Sequence, residues 1–273
     1  MIKLLALDMD GTLLNSQKQL TEPQIKAIHK AVQSGVKLVL CTGRMLTGVK
    51  PYFNQLGLDA ENEYVIVNNG CSTHQTSDWK LIDWAELSPE QIEYLATFLP
   101  ESSMQLTLFD EEHYYVLEDE PNQYSHADAK LVYVEPTILS MENATNQTRH
   151  LFQAMFVGTQ EATDAFETKH ASTLSENFDV VRSQAVLLEI LPAGTNKASA
   201  LKKLADHLQI LPEEIMAIGD ANNDIEMLTF AGLSIAMGNA NDLVKSLADD
   251  ITDTNDQDGV AKAIYKHIIG EHS

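Results

Sequence analysis

Cysteine is nearly absent. Cys41 and Cys71 are the 2 in a chain of 273 residues, too few for a disulfide framework. Positive charge is scarce as well. Eighteen Lys and Arg face 40 Asp and Glu, a formal charge of −22, which argues against nucleic acid as a partner, because phosphate backbones are held by cationic side chains. No apolar run approaches the ~20 residues of a membrane span. The run Leu4–Leu7, stopped by Asp8, is too short for a secretory signal. These absences predict an acidic, soluble, cytoplasmic protein with no membrane partner. Hydrophobic residues are not lacking: at 44% they can build a core, which excludes wholesale disorder. The length is that of nearly two domains at about 150 residues each.

One pattern fills residues 1–82 and returns in 186–273. Short apolar runs, Ile2–Leu7, Val36–Cys41, Tyr64–Val67, Ile215–Ile218 and Leu233–Ala236, each end abruptly in small or polar residues. They are continuous rather than alternating, as strands covered on both faces of a parallel sheet must be. Between them lie helix signals. Thr21-Glu22-Pro23 opens one helix and Gly35 closes it, and Asn196 can cap the segment Lys197–His207. The alternation predicts an α/β fold, a doubly wound parallel sheet. Residues 83–185 read differently. Met104–Phe109 and Tyr114–Leu117 look like a strand pair, Phe152–Val157 like another strand and Gln160–His170 like a helix, an α+β insert carried as a cap domain. It holds 19 acidic residues against Lys130, Arg149, Lys169 and Arg182, so most of the charge excess sits there.

In a doubly wound sheet ligands bind beyond the carboxyl ends of the strands. The five runs are followed by Asp8-Met9-Asp10-Gly11-Thr12, Thr42-Gly43-Arg44, Asn68-Asn69-Gly70, Gly219-Asp220-Ala221-Asn222-Asn223-Asp224 and Met237-Gly238-Asn239-Ala240. Asp8, Asp10, Asp220 and Asp224 are thereby expected to converge. Two like charges ~4 Å apart cost about 4 kcal/mol at an effective dielectric near 20, so the group needs a cation. Oxygen-only donors favour a hard ion, and Mg²⁺ over Ca²⁺ where phosphate shares the shell. A hydroxyl and amides at Thr42 and Gly43, with Lys197 opening a helix, make a phosphate cradle. Carboxylates, metal and cradle together point to phosphoryl transfer, with Asp8 as nucleophile and Asp10 protonating the leaving oxygen and then deprotonating water.

These motifs resemble the haloacid dehalogenase superfamily phosphatases of the Cof-type, whose α/β cap lies between the second and third motifs. The resemblance runs from Asp8-Met9-Asp10-Gly11-Thr12 through Thr42-Gly43-Arg44, Lys197 and the Gly219–Asp224 stretch to Met237-Gly238-Asn239-Ala240 and Asn255-Asp256-Gln257-Asp258-Gly259. It implies Asp8 as nucleophile and Asp10 as general acid and base. It implies Mg²⁺ held by Asp8, the Asp10 carbonyl and Asp220 with support from Asp224, and phosphate held by the Met9 backbone, Thr42, Gly43, Lys197 and Asn223. Ala198 stands where the family often has Gly, and Asn222 where it often has Glu. The expected activity is hydrolysis of small phosphomonoesters, sugar phosphates or related metabolites.

Two other readings stay open. A phosphomutase would need a second phosphate site in the cap, where only four cationic side chains lie. A non-catalytic receiver or phosphate-binding protein would place an Asp at a strand end too, but needs neither an acid two residues on nor a large cap. Taken singly, the motifs have plainer readings as a turn, a helix cap and a solvated lysine; their joint order after predicted strands outweighs these. Cys41 reads as packing, Arg44 as a loop anchor, and Trp79 and Trp84 as packing at the entry to the insert. The acidic cap predicts a substrate whose leaving group is neutral or cationic.

Overall fold

Asp8 follows a strand of four wholly buried residues, β1 (Leu4–Leu7). Next in the chain come β2 (Lys37–Cys41), β3 (Tyr64–Val67), β4 (Ser72–Gln75) and β5 (Leu81–Trp84). The insert supplies β6 (Gln105–Phe109), β7 (Tyr114–Leu117), β8 (Thr137–Leu139), β9 (Gln153–Val157), β10 (Phe178–Gln184) and β11 (Leu187–Pro192). Last are β12 (Ile215–Gly219), β13 (Leu233–Ala236) and β14 (Asp250–Ile251). The structure is a computed structural model and describes residues 1–58, 61–100 and 102–270. The chain divides into two compact units. One comprises Met1–Gly43, Pro51–Asp83 and Asn196–Ser273, the other Arg44–Lys50 and Trp84–Thr195.

The first unit is built on an eight-stranded sheet in the order β14-β13-β12-β1-β2-β3-β4-β5. The strands from β14 to β3 run parallel, and β4 returns antiparallel to β3. The five apolar runs thus form the middle of one parallel sheet, as their unbroken hydrophobicity requires. The β4 and β14 strands escaped the sequence reading for a physical reason. Ser-Thr-His-Gln and Asp-Ile carry no apolar run, and these strands form by pairing with a neighbour already in place.

Register decides the site. Leu7 lies opposite Leu40 of β2 and Ile218 of β12, Cys41 opposite Ile66, and Gly219 opposite Ala236. The carboxyl ends of five strands are therefore level. Backbone pairing continues one step further: Asp8 N donates to Ile218 O, Thr42 N to Ile66 O and Met237 N to Gly219 O. Asp8, Thr42, Asn68, Asp220 and Met237 leave the sheet in one row.

The second unit carries a six-stranded sheet, β10-β11-β9-β6-β7-β8, antiparallel apart from the β7–β8 pair. Leu106, Leu108, Ala154, Phe156, Leu188 and Ile190 point to one face and pack with Leu95, Phe166 and Leu174 from the helices Pro89–Ala96 and Gln160–Leu174. Ser88 and Thr159 cap those helices. Within this unit burial pushes the Asp128 carboxyl up to about 6. A group raised on folding favours the fold while protonated and loses that contribution as pH rises through its folded value. Asp128→Asn is therefore expected to raise stability at pH 8 by about 1 kcal/mol, the side chain being only partly buried, and to change nothing near pH 4. Urea melts at the two pH values check this.

Candidate active site

The best-buried cation of the first unit is Lys197, the first residue of the helix Lys197–Leu208. Asn196 fixes the start of that helix: its side chain accepts from Ser199 N at 2.8 Å, and Ser199 Oγ accepts from Asn196 N at 3.0 Å. From there Lys197 Nζ donates to Asp8 Oδ1 and to Asp224 Oδ1, each at 2.7 Å. All three groups are buried, at 1%, 5% and 0% exposure. Burial alone would depress the lysine, but Asp224 and Asp8 outweigh it and hold the ammonium charged.

Asp224 is held from its other oxygen as well. Asp220 N and Ala221 N both donate to Asp224 Oδ2 at 3.0 Å, so this carboxylate clamps the turn after β12 while it grips Lys197. Asp220 is oriented separately, accepting from Thr12 Oγ1 at 2.9 Å. Gly11 makes the approach possible: with φ +90° it bends the loop, and a Cβ there would fall 2.4 Å from Asp220 Oδ2. Asn239 Nδ2 donates to Gly11 O at 2.8 Å, and Asn255 Nδ2 to Leu14 O at 2.9 Å. Thr12, Asn239 and Asn255 are thus working parts that sequence reasoning left without a role. Their only signal was membership in motifs after the strands.

Carboxylate oxygens of Asp8, Asp220 and Asp224 come within 4.8 Å of one another. Burial pushes Asp8 well up, with the Asp224 charge adding to it, and burial pushes Asp220 up to about 6. Three acidic groups with one ammonium are short of positive charge, and the donors are all hard oxygens. The residues therefore fit a hard divalent cation. Asp224 has both oxygens engaged, one by Lys197 and the other by two backbone amides.

Asp10 is not among these three carboxylates. Its Oδ1 accepts from Lys18 Nζ at 2.6 Å, and its side chain is 34% exposed. The expectation that four carboxylates converge thus meets a structure that gathers three. Lys18, turned by φ 57° at the end of a short loop, supplies a nearby charge in water for the fourth.

The cradle residues lie close together. Asn69 N donates to Thr42 O at 3.0 Å, Asn223 Nδ2 donates to Asn69 Oδ1 at 3.1 Å, and the Asn69 carboxamide lies 3.1 Å from where a Gly43 Cβ would stand. Met9 is fully buried, its carbonyl accepting from Leu14 N at 2.8 Å. Gly70, at φ +103°, passes so near the helix start that a Cβ would sit 2.2 Å from Asn196 O. Gly70→Ala is accordingly expected to cost about 2–4 kcal/mol in urea unfolding. Of the residues read as packing, Cys41 is buried and its thiol is pushed far up by burial, Trp79 packs edge-on against Phe53, and Trp84 lies 4.7 Å from His150. Arg44 reaches Gly48 O at 3.4 Å.

The sequence profile of the haloacid dehalogenase-like hydrolases matches residues 5–264. The chain belongs to that family. It is an enzyme, a phosphate-ester hydrolase of the haloacid dehalogenase type. It is 32% identical to the 5-amino-6-(5-phospho-D-ribitylamino)uracil phosphatase YcsE of Bacillus subtilis, over 98% of this chain and 96% of that one. It is 34% identical to the HMP-PP phosphatase of Cronobacter sakazakii, over 88% and 85%. The crystal structure of a haloacid dehalogenase-like hydrolase from Bacteroides thetaiotaomicron superposes with a TM-score of 0.87 at 30% identity, covering 97% of this chain and 99% of that one. Both the resemblance and the doubly wound fold read from the motifs stand. Among the described residues, no helix is long and apolar enough to cross a membrane.

Proposed function

We propose that this hydrolase cleaves small phosphomonoesters through a covalent aspartyl phosphate on Asp8. The observation that carries the reading is the buried Lys197 joining Asp8 to Asp224, beside Asp220. A buried carboxylate at a strand end, with one oxygen tied down by an ammonium, is oriented with its other oxygen for attack. An oxygen of Asp8 bonds to phosphorus as the ester P–O bond breaks, and the departing oxygen takes its proton from Asp10, which must first part from Lys18 and take up a proton from solvent to act as the acid. Asp10 then accepts a proton from water as that water attacks phosphorus, releasing phosphate and restoring the Asp8 carboxylate. Lys197, Thr42, Gly43, Asn223 and the Met9 backbone hold the phosphoryl oxygens. Asp8, Asp220 and the Asp10 carbonyl would hold Mg²⁺, with Asp224 in support; the ion would offset the repulsion between phosphate and carboxylate.

The substrate class is a phosphorylated metabolite whose leaving group is neutral or cationic, in keeping with the acidic insert and with the 5-amino-6-(5-phospho-D-ribitylamino)uracil named for the YcsE relative. Two buried cysteines that form no disulfide suit a cytoplasmic setting. The test is p-nitrophenyl phosphate turnover. Activity is expected with MgCl2, lost with EDTA and restored by excess Mg²⁺ more fully than by Ca²⁺. A native protein inert with Mg²⁺ across a broad phosphate panel would favour phosphate binding without catalysis. In that panel, bisphosphates outperforming monophosphates would count against the substrate class, and transfer between sugar positions without release of phosphate would indicate a mutase.

A further inference from the structure

The turn after β3 belongs to no assigned part of the site, yet its backbone is the most contorted in the first unit. Asn68, Asn69 and Gly70 take φ values of 51°, 52° and 103° in succession, a left-handed run that L-residues adopt singly rather than in series. All three are buried. The contortion has a geometric result: it carries Asn69 against two separate loops of the cradle. The Asn69 backbone N–H holds Thr42 O, its side-chain Oδ1 accepts from Asn223 Nδ2, and its carboxamide lies against Gly43. The next residue, Gly70, passes close to Asn196 and the N–H of Lys197. Loops distant in sequence thus meet on one carboxamide.

We infer that Asn69 is a positioning residue for phosphate, acting by fixing the Asn223 carboxamide and spacing it from Gly43. The inference rests on the phosphatase reading, since it takes Asn223 and Gly43 as the groups that meet phosphoryl oxygens. An amide has two N–H bonds. With one Asn223 N–H committed to Asn69 Oδ1, the plane of the group is set and the other N–H has a fixed direction. Without Asn69 the Asn223 side chain can rotate, and orienting it is left to the phosphate. Asn68 serves as the internal control: it shares the φ value, but its buried carboxamide has no hydrogen-bond partner among the described residues.

The experiment measures inorganic phosphate as a competitive inhibitor of p-nitrophenyl phosphate turnover, and its binding by calorimetry with Mg²⁺ present. Asn69→Gly keeps a residue free to adopt φ 52° while deleting the carboxamide. It is expected to weaken phosphate about tenfold and raise KM more than it lowers kcat, with an unchanged melting temperature. Asn223→Ala is expected to do the same. The double variant should lose little more than either single one, because the two act as a unit. Asn68→Gly should leave phosphate affinity within twofold of wild type. Additive losses in the double variant, unchanged affinity in Asn69→Gly, or an equal loss in Asn68→Gly would each overturn the inference. A wild-type protein that neither turns over nor binds phosphate would instead overturn the phosphatase reading itself.

Discussion

Asp8→Asn is expected to reduce kcat for p-nitrophenyl phosphate by about 10⁴-fold or more and to leave the protein as stable as wild type or more so. The loss follows from chemistry: a carboxamide has nearly the shape of a carboxylate but cannot form the acyl phosphate. The retained stability follows from electrostatics. Asp8 is buried, its carboxyl is pushed well up by burial and by the Asp224 charge, and Asn can still accept from Lys197 through its oxygen. Removing one negative charge therefore relieves a repelling group without orphaning the ammonium. Steady-state kinetics and thermal melts, run without metal and with Mg²⁺, test both halves. Activity above one-hundredth of wild type would remove Asp8 from the chemistry. A large fall in melting temperature would show that the anion holds the fold together, contrary to the balance of charge argued above.

Lys197→Met should show the opposite pattern, losing activity and stability together. The ammonium makes two contacts of 2.7 Å and is 1% exposed. A methionine of similar length leaves Asp8 and Asp224 facing each other with no counter-charge. Breaking a buried ion pair from one side costs about 3–5 kcal/mol. The loss is expected to shrink as the pH falls, because the Asp8 carboxyl, raised by burial, then takes up a proton and much of the uncompensated charge disappears. Excess Mg²⁺ should restore part of the stability but little activity. Arginine is expected to be a poor substitute, since the buried space holds a single ammonium between two oxygens and not a planar fork. Urea unfolding at pH 7 and pH 5 distinguishes this account from simple loss of packing, which would be indifferent to pH.

These two expectations rest on an arrangement that is partly legible along the chain. The strands β1, β2, β3, β12 and β13 announce themselves because a parallel strand covered on both faces must be apolar at every position. The polar residues that end them announce the site, because the parallel topology brings every carboxyl end to the same side of the sheet. Asp8, Asp220, Asp224 and Lys197 could therefore be named together from order alone. The helix start at Lys197 was readable from Asn196, whose side chain caps it.

Other features had no local signature. Nothing in Asp8-Met9-Asp10 foretells that the first carboxylate turns inward to Lys197 while the second turns out to Lys18; that choice depends on where a loop eight residues on places its charge. Nothing in Gly219–Asp224 says that Asp224 divides its two oxygens between a lysine and two backbone amides. Nor does Asn68-Asn69-Gly70 reveal that a left-handed run brings Asn69 against Asn223. The chain alone thus determined the five central strands, their common orientation and the residue types at their ends, because hydrophobic periodicity and the handedness of parallel connections are local or topological properties. Which side chain faces which was decided only in three dimensions, where register levels the strand ends and buried charges, too costly to leave alone, select their partners.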